Sequence, residues 1–398
     1  MRALVRLVTI VVLVVALQAP AGAGYTVRQG DTLTGIAADL GVSAAELARA
    51  NGIGDPNVIN AGQVLELPAP APAEAPREVG PYTVQRGDTL TGIAAKLGVS
   101  MADLARTNSI VDPNRIRVGQ VLEMPGVRQI SAYRQLGTWV DVYDYAPAFA
   151  PASGAPPLTP ASVDRMAAAG IRTLYLQASI DSPRSTGVLE APTVLSAFLN
   201  RAHSKGMKVV AWYLPSFTDL DADLQRLRAM REFRAGGQGF DGLAVDIEWT
   251  TGVPDTARRN AALIELSRRL RAETDTAIAA IVLPPVLLEV VNQQYWPQFP
   301  WRGLAPYYDV WLPMAYWTDR TVASGYRDPQ RYTSENITRI RANLGQPSAA
   351  VHVIGGIGGS STAEQYRRFA AAARQGGAVG ISLYDFRITE AAAWPLLR

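Results

Sequence analysis

From about Arg134 onward, apolar runs with strand character alternate with amphipathic stretches of helical period. Eight runs read as strands: 137–144, 171–178, 207–214, 241–249, 277–284, 309–317, 349–355 and 378–386. Apolar residues at three- and four-residue spacing predict helices at 160–169, 192–205, 219–234, 255–274, 329–344 and 361–375. Eight strand–helix alternations predict a (β/α)8 TIM-type barrel, an α/β fold, over residues 134–398. An open doubly wound sheet is the competing arrangement, because the pattern does not reveal whether the sheet closes.

Ahead of this region the pattern is shorter in range and occurs twice. Tyr25-Thr26-Val27, Gly30-Asp31-Thr32-Leu33-Thr34-Gly35-Ile36-Ala37-Ala38 and Gly62-Gln63-Val64-Leu65 return as Tyr82-Thr83-Val84, Gly87-Asp88-Thr89-Leu90-Thr91-Gly92-Ile93-Ala94-Ala95 and Gly119-Gln120-Val121-Leu122. Each copy reads as a small α+β unit of order βααβ. Asp31-Thr32 begins the first helix with a capping hydroxyl or carboxylate, and Leu33, Ile36, Ala37 and Leu40 form its buried stripe. Ser43 caps a second helix carrying Leu47 and Ala48, which ends near Asn51, and Val64-Leu65-Glu66-Leu67 closes the unit. The repeats therefore span 24–68 and 82–125, separated by a Pro/Ala-rich spacer at 69–81. Residues 1–23 read as an export signal: Arg2 and Arg6, the apolar stretch Leu7 to Leu17, then Ala21-Gly22-Ala23 before a cut at Gly24. That stretch is too short for a bilayer span and no later run matches it, so no stable membrane insertion is expected after cleavage.

Composition narrows the chemistry. The net charge is only +3 with basic residues scattered, which argues against a nucleic-acid partner. The absence of cysteine excludes disulfides, thiol nucleophiles and thiolate metal sites. The two histidines, His203 and His352, are too few for the ligand sets of zinc amidases or metallopeptidases. No Gly-x-Ser-x-Gly elbow occurs, and the glycine-rich run Gly355 to Ser360 lacks a P-loop lysine and reads as a tight turn. No metal or cofactor is called for, and the oligomeric state is not legible.

The repeats resemble the LysM domain end to end, in the Tyr-Thr-Val opening, the Gly-Asp-Thr-Leu run, the central Asn and the final Gly-Gln-x-Leu-x-x-Pro. That resemblance implies binding of N-acetylglucosamine-containing glycans, chiefly peptidoglycan or chitin, and a secreted, cell-wall-associated protein. The implied groove lies beside the first strand–helix turn and the loop before the last strand. Here those positions are Gly30, Asp31, Thr32, Leu33 and Asn57 to Ile59, and Gly87, Asp88, Thr89, Leu90 and Asn114 to Ile116. Two copies offer avidity.

The most chemically loaded stretch is Phe240-Asp241-Gly242-Leu243-Ala244-Val245-Asp246-Ile247-Glu248-Trp249. Period two sends Leu243, Val245, Ile247 and Trp249 to one face and Gly242, Ala244, Asp246 and Glu248 to the other. The apolar set suits the layer under the outer helices, so the carboxylates should point inward near the C-terminal end of the strand, where barrel enzymes place their chemistry. Their Cα atoms would lie about 6.5–7 Å apart, and repulsion with partial burial should spread the two pKa values.

Asp241 to Glu248 is similar to the Asp-Gly-x-Asp-x-Asp-x-Glu signature of glycoside hydrolase family 18, and Pro313-Met314-Ala315-Tyr316 resembles its Met-x-Tyr motif. The resemblance implies substrate-assisted glycoside hydrolysis. Glu248 would act as acid and then base, Asp246 would orient the 2-acetamido group, and Tyr316 would donate to its oxygen. Met314, Tyr213 and Tyr384 would line the sugar site together with Trp317. The departures are Ala244 at the first internal Asp of the signature, Trp317 where an Asp usually follows, and Tyr384 in place of a Trp floor. A family 25-type muramidase, with Asp141 as a further carboxylate, and a non-catalytic wall-binding protein are the alternatives. Residues 24–125 alone should co-sediment with insoluble wall glycan, and removing either repeat should release most of the bound protein into the supernatant.

Overall fold

The computed structural model describes residues 24–29, 31–33, 36, 44–55, 58–66, 81–97, 99, 101–108, 110, 112–124, 128–150 and 154–398. The export signal at 1–23, the spacer through Gly80, and Gly30, Ala37, Leu40, Ser43 and Asn57 lie outside the described residues. The chain divides into two compact units, one up to Arg77 and one from Glu78.

In the first unit, β1 (Gly24–Thr26) pairs antiparallel with β2 (Val64–Glu66) beside a helix at Ala44–Ala50. Val27, Leu33, Ile36, Leu47 and Leu65 form its core. Asn51 pins helix to strand: its Nδ2 donates to Leu47 and Glu66 carbonyls at 2.8 Å each, and its Oδ1 accepts from Glu66 N at 2.7 Å.

The second unit opens with the other repeat. Here β3 (Tyr82–Thr83) pairs antiparallel with β4 (Val121–Leu122), around helices Leu90–Leu97 and Met101–Thr107. Asn108 repeats the Asn51 bonds to Leu104 and Glu123. The hydroxyl caps the first helix, since Thr89 Oγ1 accepts from Gly92 N at 3.0 Å. The carboxylate does not: Asp88 folds back to Gln85 N and Tyr82 Oη, bracing the preceding turn, as Asp31 does with Arg28 N.

The remainder is a parallel eight-stranded sheet: β5 (Leu136–Val140), β6 (Thr173–Gln177), β7 (Lys208–Tyr213), β8 (Gly242–Ile247), β9 (Ile278–Val282), β10 (Val310–Pro313), β11 (His352–Gly355) and β12 (Gly380–Leu383). The strands are adjacent in chain order from β5 to β10, and β12 joins β11 to β5. The ring closes where Trp311 N donates to Ala350 O and Ala315 N to Ile354 O, both at 2.9 Å. The doubly wound alternative is thereby excluded. All eight predicted strands and all six predicted helices are present, most ends coincident or one to a few residues shorter; β5 begins one residue early, and 142–144, expected as its end, is helical. Trp249 departs from expectation. It lies beyond the end of β8 and is 43% exposed, because the strand stops at Ile247 before its side chain can reach the helical layer.

The N-terminal end of the barrel is sealed by a 3-10 turn, Ser131–Tyr133. Tyr133 Oη donates to the carbonyls of Leu243 and Ala277 at 2.8 and 2.9 Å. Gly242 makes room for it, since a Cβ there would lie 2.3 Å from that hydroxyl. Above the seal, Trp139 Nε1 donates to Ser382 Oγ, which donates to His352 Nε2, whose Nδ1–H meets Tyr133 O at 2.8 Å. Burial lowers the His352 pKa to about 4, so the ring stays neutral in this chain of bonds. At the same end, Arg128 reaches Asp103 of the second repeat and, at 2.9 Å, Asp309 just before β10. The second repeat and the barrel share one compact unit across this link.

Tyr133→Phe removes the buried donor of the Leu243 carbonyl, while Ala277 O still accepts from Leu243 N at 3.2 Å. Thermal melts should show a loss of about 1–2 kcal/mol, or roughly 2–8 °C in Tm.

Candidate active site

The alternation on β8 has a packing cause. Gly242 is occupied by the Tyr133 hydroxyl, Ala244 sits in register beside Trp212 of β7, and Leu243, Val245 and Ile247 join the apolar core. Asp246 follows on the inner face and is 6% exposed, with Glu248 just past the strand end at the mouth of a cleft of 620 Å³. Asp246 Oδ1 has no hydrogen-bond partner, and among the described residues no lysine, arginine or histidine pairs with either carboxylate.

Burial pushes both acids up, and Asp246 is raised further by the neighbouring Glu248 charge. The pair therefore favours keeping a proton between its members. Tyr316 lines the same cleft; burial and then the charges of Glu248 and Asp246 raise its hydroxyl, which stays a neutral donor. Met314 also lines the cleft.

Tyr384 sits beside them, its ring 6.2 Å from that of Tyr316 and its hydroxyl donating to Asp141 Oδ2 at 2.8 Å. Asp141 is itself committed: it caps the short helix Val142–Tyr145 by accepting from Tyr143 N. Two expected sugar contacts prove otherwise. Tyr213 is fully buried with its hydroxyl on Asp223 of the flanking helix Leu220–Glu232 at 2.6 Å, so it belongs to the layer outside the barrel. Trp317 is also fully buried, packed against Phe369 and Tyr366 of the helix Ala363–Gln375. The inward aromatic of β7 is instead Trp212, 5.9 Å edge-on from Trp139 and with an unpartnered Nε1.

Sequence reasoning also missed Arg320 and Tyr295, both cleft-lining. Their signal is weak because they lie in loops after β10 and β9, where no periodicity operates. A further acidic group adjoins the site. Carboxylate oxygens of Asp141, Asp144 and Asp385 lie within 4.8 Å of one another, a spacing that could ligate a cation. Arg387 Nε, 2.8 Å from Asp144, supplies positive charge there.

In the repeats, Leu33 and Leu90 are core residues, each 1% exposed, and Ile59 and Ile116 pack against the same cores. They shape the fold beneath a groove and do not line it. Asp31, Thr32, Gly87, Asp88, Thr89 and Asn114 reach the surface. The first repeat bears an open concavity of 570 Å³ lined by Asn51, Ile53, Asp55, Val58, Asn60 and Gln63, most of which the sequence reading did not single out.

Residues 25–68 and 82–125 each match the LysM domain, so the chain carries two LysM domains. The rice (Oryza sativa subsp. japonica) chitin elicitor-binding protein is 37% identical over 110 residues, 25% of this chain and 30% of the rice protein. The chain spans less than half the length of the first curated relatives it matches. Among solved structures, the spore cortex-lytic enzyme SleL of Bacillus megaterium QM B1551 has a TM-score of 0.44 at 14% identity, covering 95% of this chain and 98% of that one. A chitinase from Chromobacterium violaceum has a TM-score of 0.46 at 12% identity, covering 66% and 98%.

Asp144 carries a pH signature. Burial, then Asp141 and Asp385, raise its pKa from 3.8 to about 7. The folded state thus holds a proton that the unfolded chain releases, and stability present below about pH 4 is lost as pH rises toward 7. Asp144→Asn removes that loss. Its Tm advantage over wild type should grow between pH 4 and pH 8, reaching roughly 2–4 °C for each kcal/mol recovered.

Proposed function

We propose that the chain is a secreted or envelope-located hydrolase of N-acetylhexosamine-containing cell-wall glycan, with LysM repeats 24–68 and 82–125 holding the glycan and barrel 134–398 cleaving it. LysM domains bind N-acetylglucosamine-containing glycans, and the match covers both repeats. The observation that carries the catalytic reading is the carboxylate pair: Asp246 buried and unpartnered, with Glu248 opening into a cleft. Interior carboxylates without a counter-charge are costly and serve best where a proton must be kept and moved.

The mechanism follows from the environments. In the empty cleft the deeper Asp246 competes strongly for the shared proton. A sugar 2-acetamido N–H donating to Asp246 would favour its charged form and leave the proton on Glu248, the member facing the cleft. Glu248 then protonates the glycosidic oxygen, the acetamido oxygen attacks the anomeric carbon, and the same carboxylate afterwards takes a proton from water. Tyr316, held neutral, donates to the acetamido oxygen, and Asp246 stabilises the developing positive charge. Trp212 beside Ala244 occupies the neighbourhood where the family signature would carry another carboxylate. Asp141, committed to Tyr384 and a helix cap, is poorly placed to serve as the extra acid of a muramidase.

Glu248→Gln should lower reducing-end release from peptidoglycan or chitin oligomers by about 10²–10⁴-fold, with wall co-sedimentation unchanged. Equal release by mutant and wild type on every substrate would sink the hydrolytic reading. N-acetylglucosamine at the new reducing end supports this mechanism, and N-acetylmuramic acid there supports the muramidase.

A further inference from the structure

The cleft beside Glu248 is mixed in chemistry. Its lining includes the apolar Leu283, Leu287, Val291 and Tyr295, the last two 40% and 43% exposed. It also includes Arg320 and the neighbouring Asp319. Among the described residues Arg320 has no carboxylate within ion-pair distance, and its Nε is buried without a hydrogen-bond partner. Its neighbour Asp319 is exposed, with the Thr318 hydroxyl 3.4 Å away.

The arginine is nevertheless held. Its guanidinium lies over the Tyr332 ring, 5.9 Å from the centroid. Its backbone closes the 3-10 turn Trp317–Asp319 by donating to Trp317 O at 3.0 Å, and its carbonyl accepts from Arg327 Nη1 at 3.3 Å. A planar, charged fork on a residue that lines the cleft is suited to a planar anion. A neutral homopolymer of N-acetylglucosamine offers no such group and leaves that charge unused.

Resting on the hydrolase reading above, we propose that Arg320 is a specificity determinant that binds a carboxylate on the substrate, and that the cleft is built for an anionic, muramoyl-type glycan over uncharged chitin. The carboxylate can come from a free 3-O-lactyl group or from an attached peptide.

The test compares kcat/KM of wild type and Arg320→Gln on three soluble oligomers of equal sugar number. These are peptide-free glycan strands with free lactyl carboxylates, peptide-bearing strands, and chitin oligomers. Arg320→Gln should reduce the ratio of charged to neutral substrate roughly 10- to 100-fold, as loss of a charge-assisted hydrogen bond does. The strand type showing the larger fall identifies the carboxylate's source. Arg320→Lys, which keeps the charge but not the fork, should recover part of the ratio. An unchanged ratio, or equal losses on charged and neutral oligomers, overturns the assignment. Calorimetric binding of the same strands to full-length Glu248→Gln, with and without Arg320→Gln, separates the two readings, since the LysM contribution cancels in the difference. Arg320-dependent binding without cleavage by wild type would remove the hydrolase reading and leave the carboxylate site standing. Cleavage with no dependence on Arg320 would do the reverse.

Discussion

Two carboxylates at the inner face and mouth of a parallel barrel, with no cation to neutralise them among the described residues, set the terms for the rest of this structure. Taking one ionised acid out of water costs several kcal/mol, and a second nearby adds repulsion. Asp246 and Glu248 ease both by holding a proton, which is why their pKa values rise together. The remaining penalty must be offset elsewhere in the fold. The N-terminal half of the barrel interior is filled by large, hydrogen-bonded rings: Trp139 stacked on Tyr175 at 4.2 Å, linked through Ser382 and His352 to the Tyr133 seal. Stability and chemistry are thus divided between the two ends of the same strands.

Small residues on β8 make that division possible. Gly242 admits the Tyr133 hydroxyl, and Ala244 sits in register with Trp212 on one side and Ala279 on the other. Only at the next inward position does the strand carry an acid. Larger side chains at 242 or 244 would push the seal or the indole away and loosen the wall against which Asp246 is held.

The barrel was legible because its strands are apolar runs bounded by helices with a clear period, and four of the six predicted helices have a side-chain cap at their start. Asp219, Asp255 and Asp328 accept from backbone amides at their helix starts, and Thr362 with Gln365 forms a reciprocal cap. The Asp246–Glu248 pair was legible because β8 alternates strictly between small or acidic residues and branched apolar ones. Tyr213 and Trp317 were misplaced for the opposite reason. Val209-Val210-Ala211-Trp212-Tyr213 is apolar throughout, so nothing in it marks which face is inward. Beyond Pro313 the chain leaves the strand, and period two no longer applies. Arg320 and Tyr295 were invisible because a loop residue's neighbours depend on tertiary closure.

The second LysM repeat joins the barrel at the end remote from the chemistry. Asp309 immediately precedes β10, accepts from Ile278 N at the start of β9, and binds both Arg128 and the buried Arg271. With Asp103, this assembles two acids and two arginines of balanced charge, which lowers the penalty of burying any one of them. Glu248 lies past the other end of β8. On the proposed reading a glycan segment would sit on the surface around Asp88 and Thr89, on a repeat whose link to the barrel, through Arg128 and Asp309, lies at the end of the strands opposite Glu248. If the proposed activity holds, an attachment of that kind would keep the chain at the wall without occupying the cleft, so binding through this repeat would raise local substrate concentration while contributing nothing directly to the transition state.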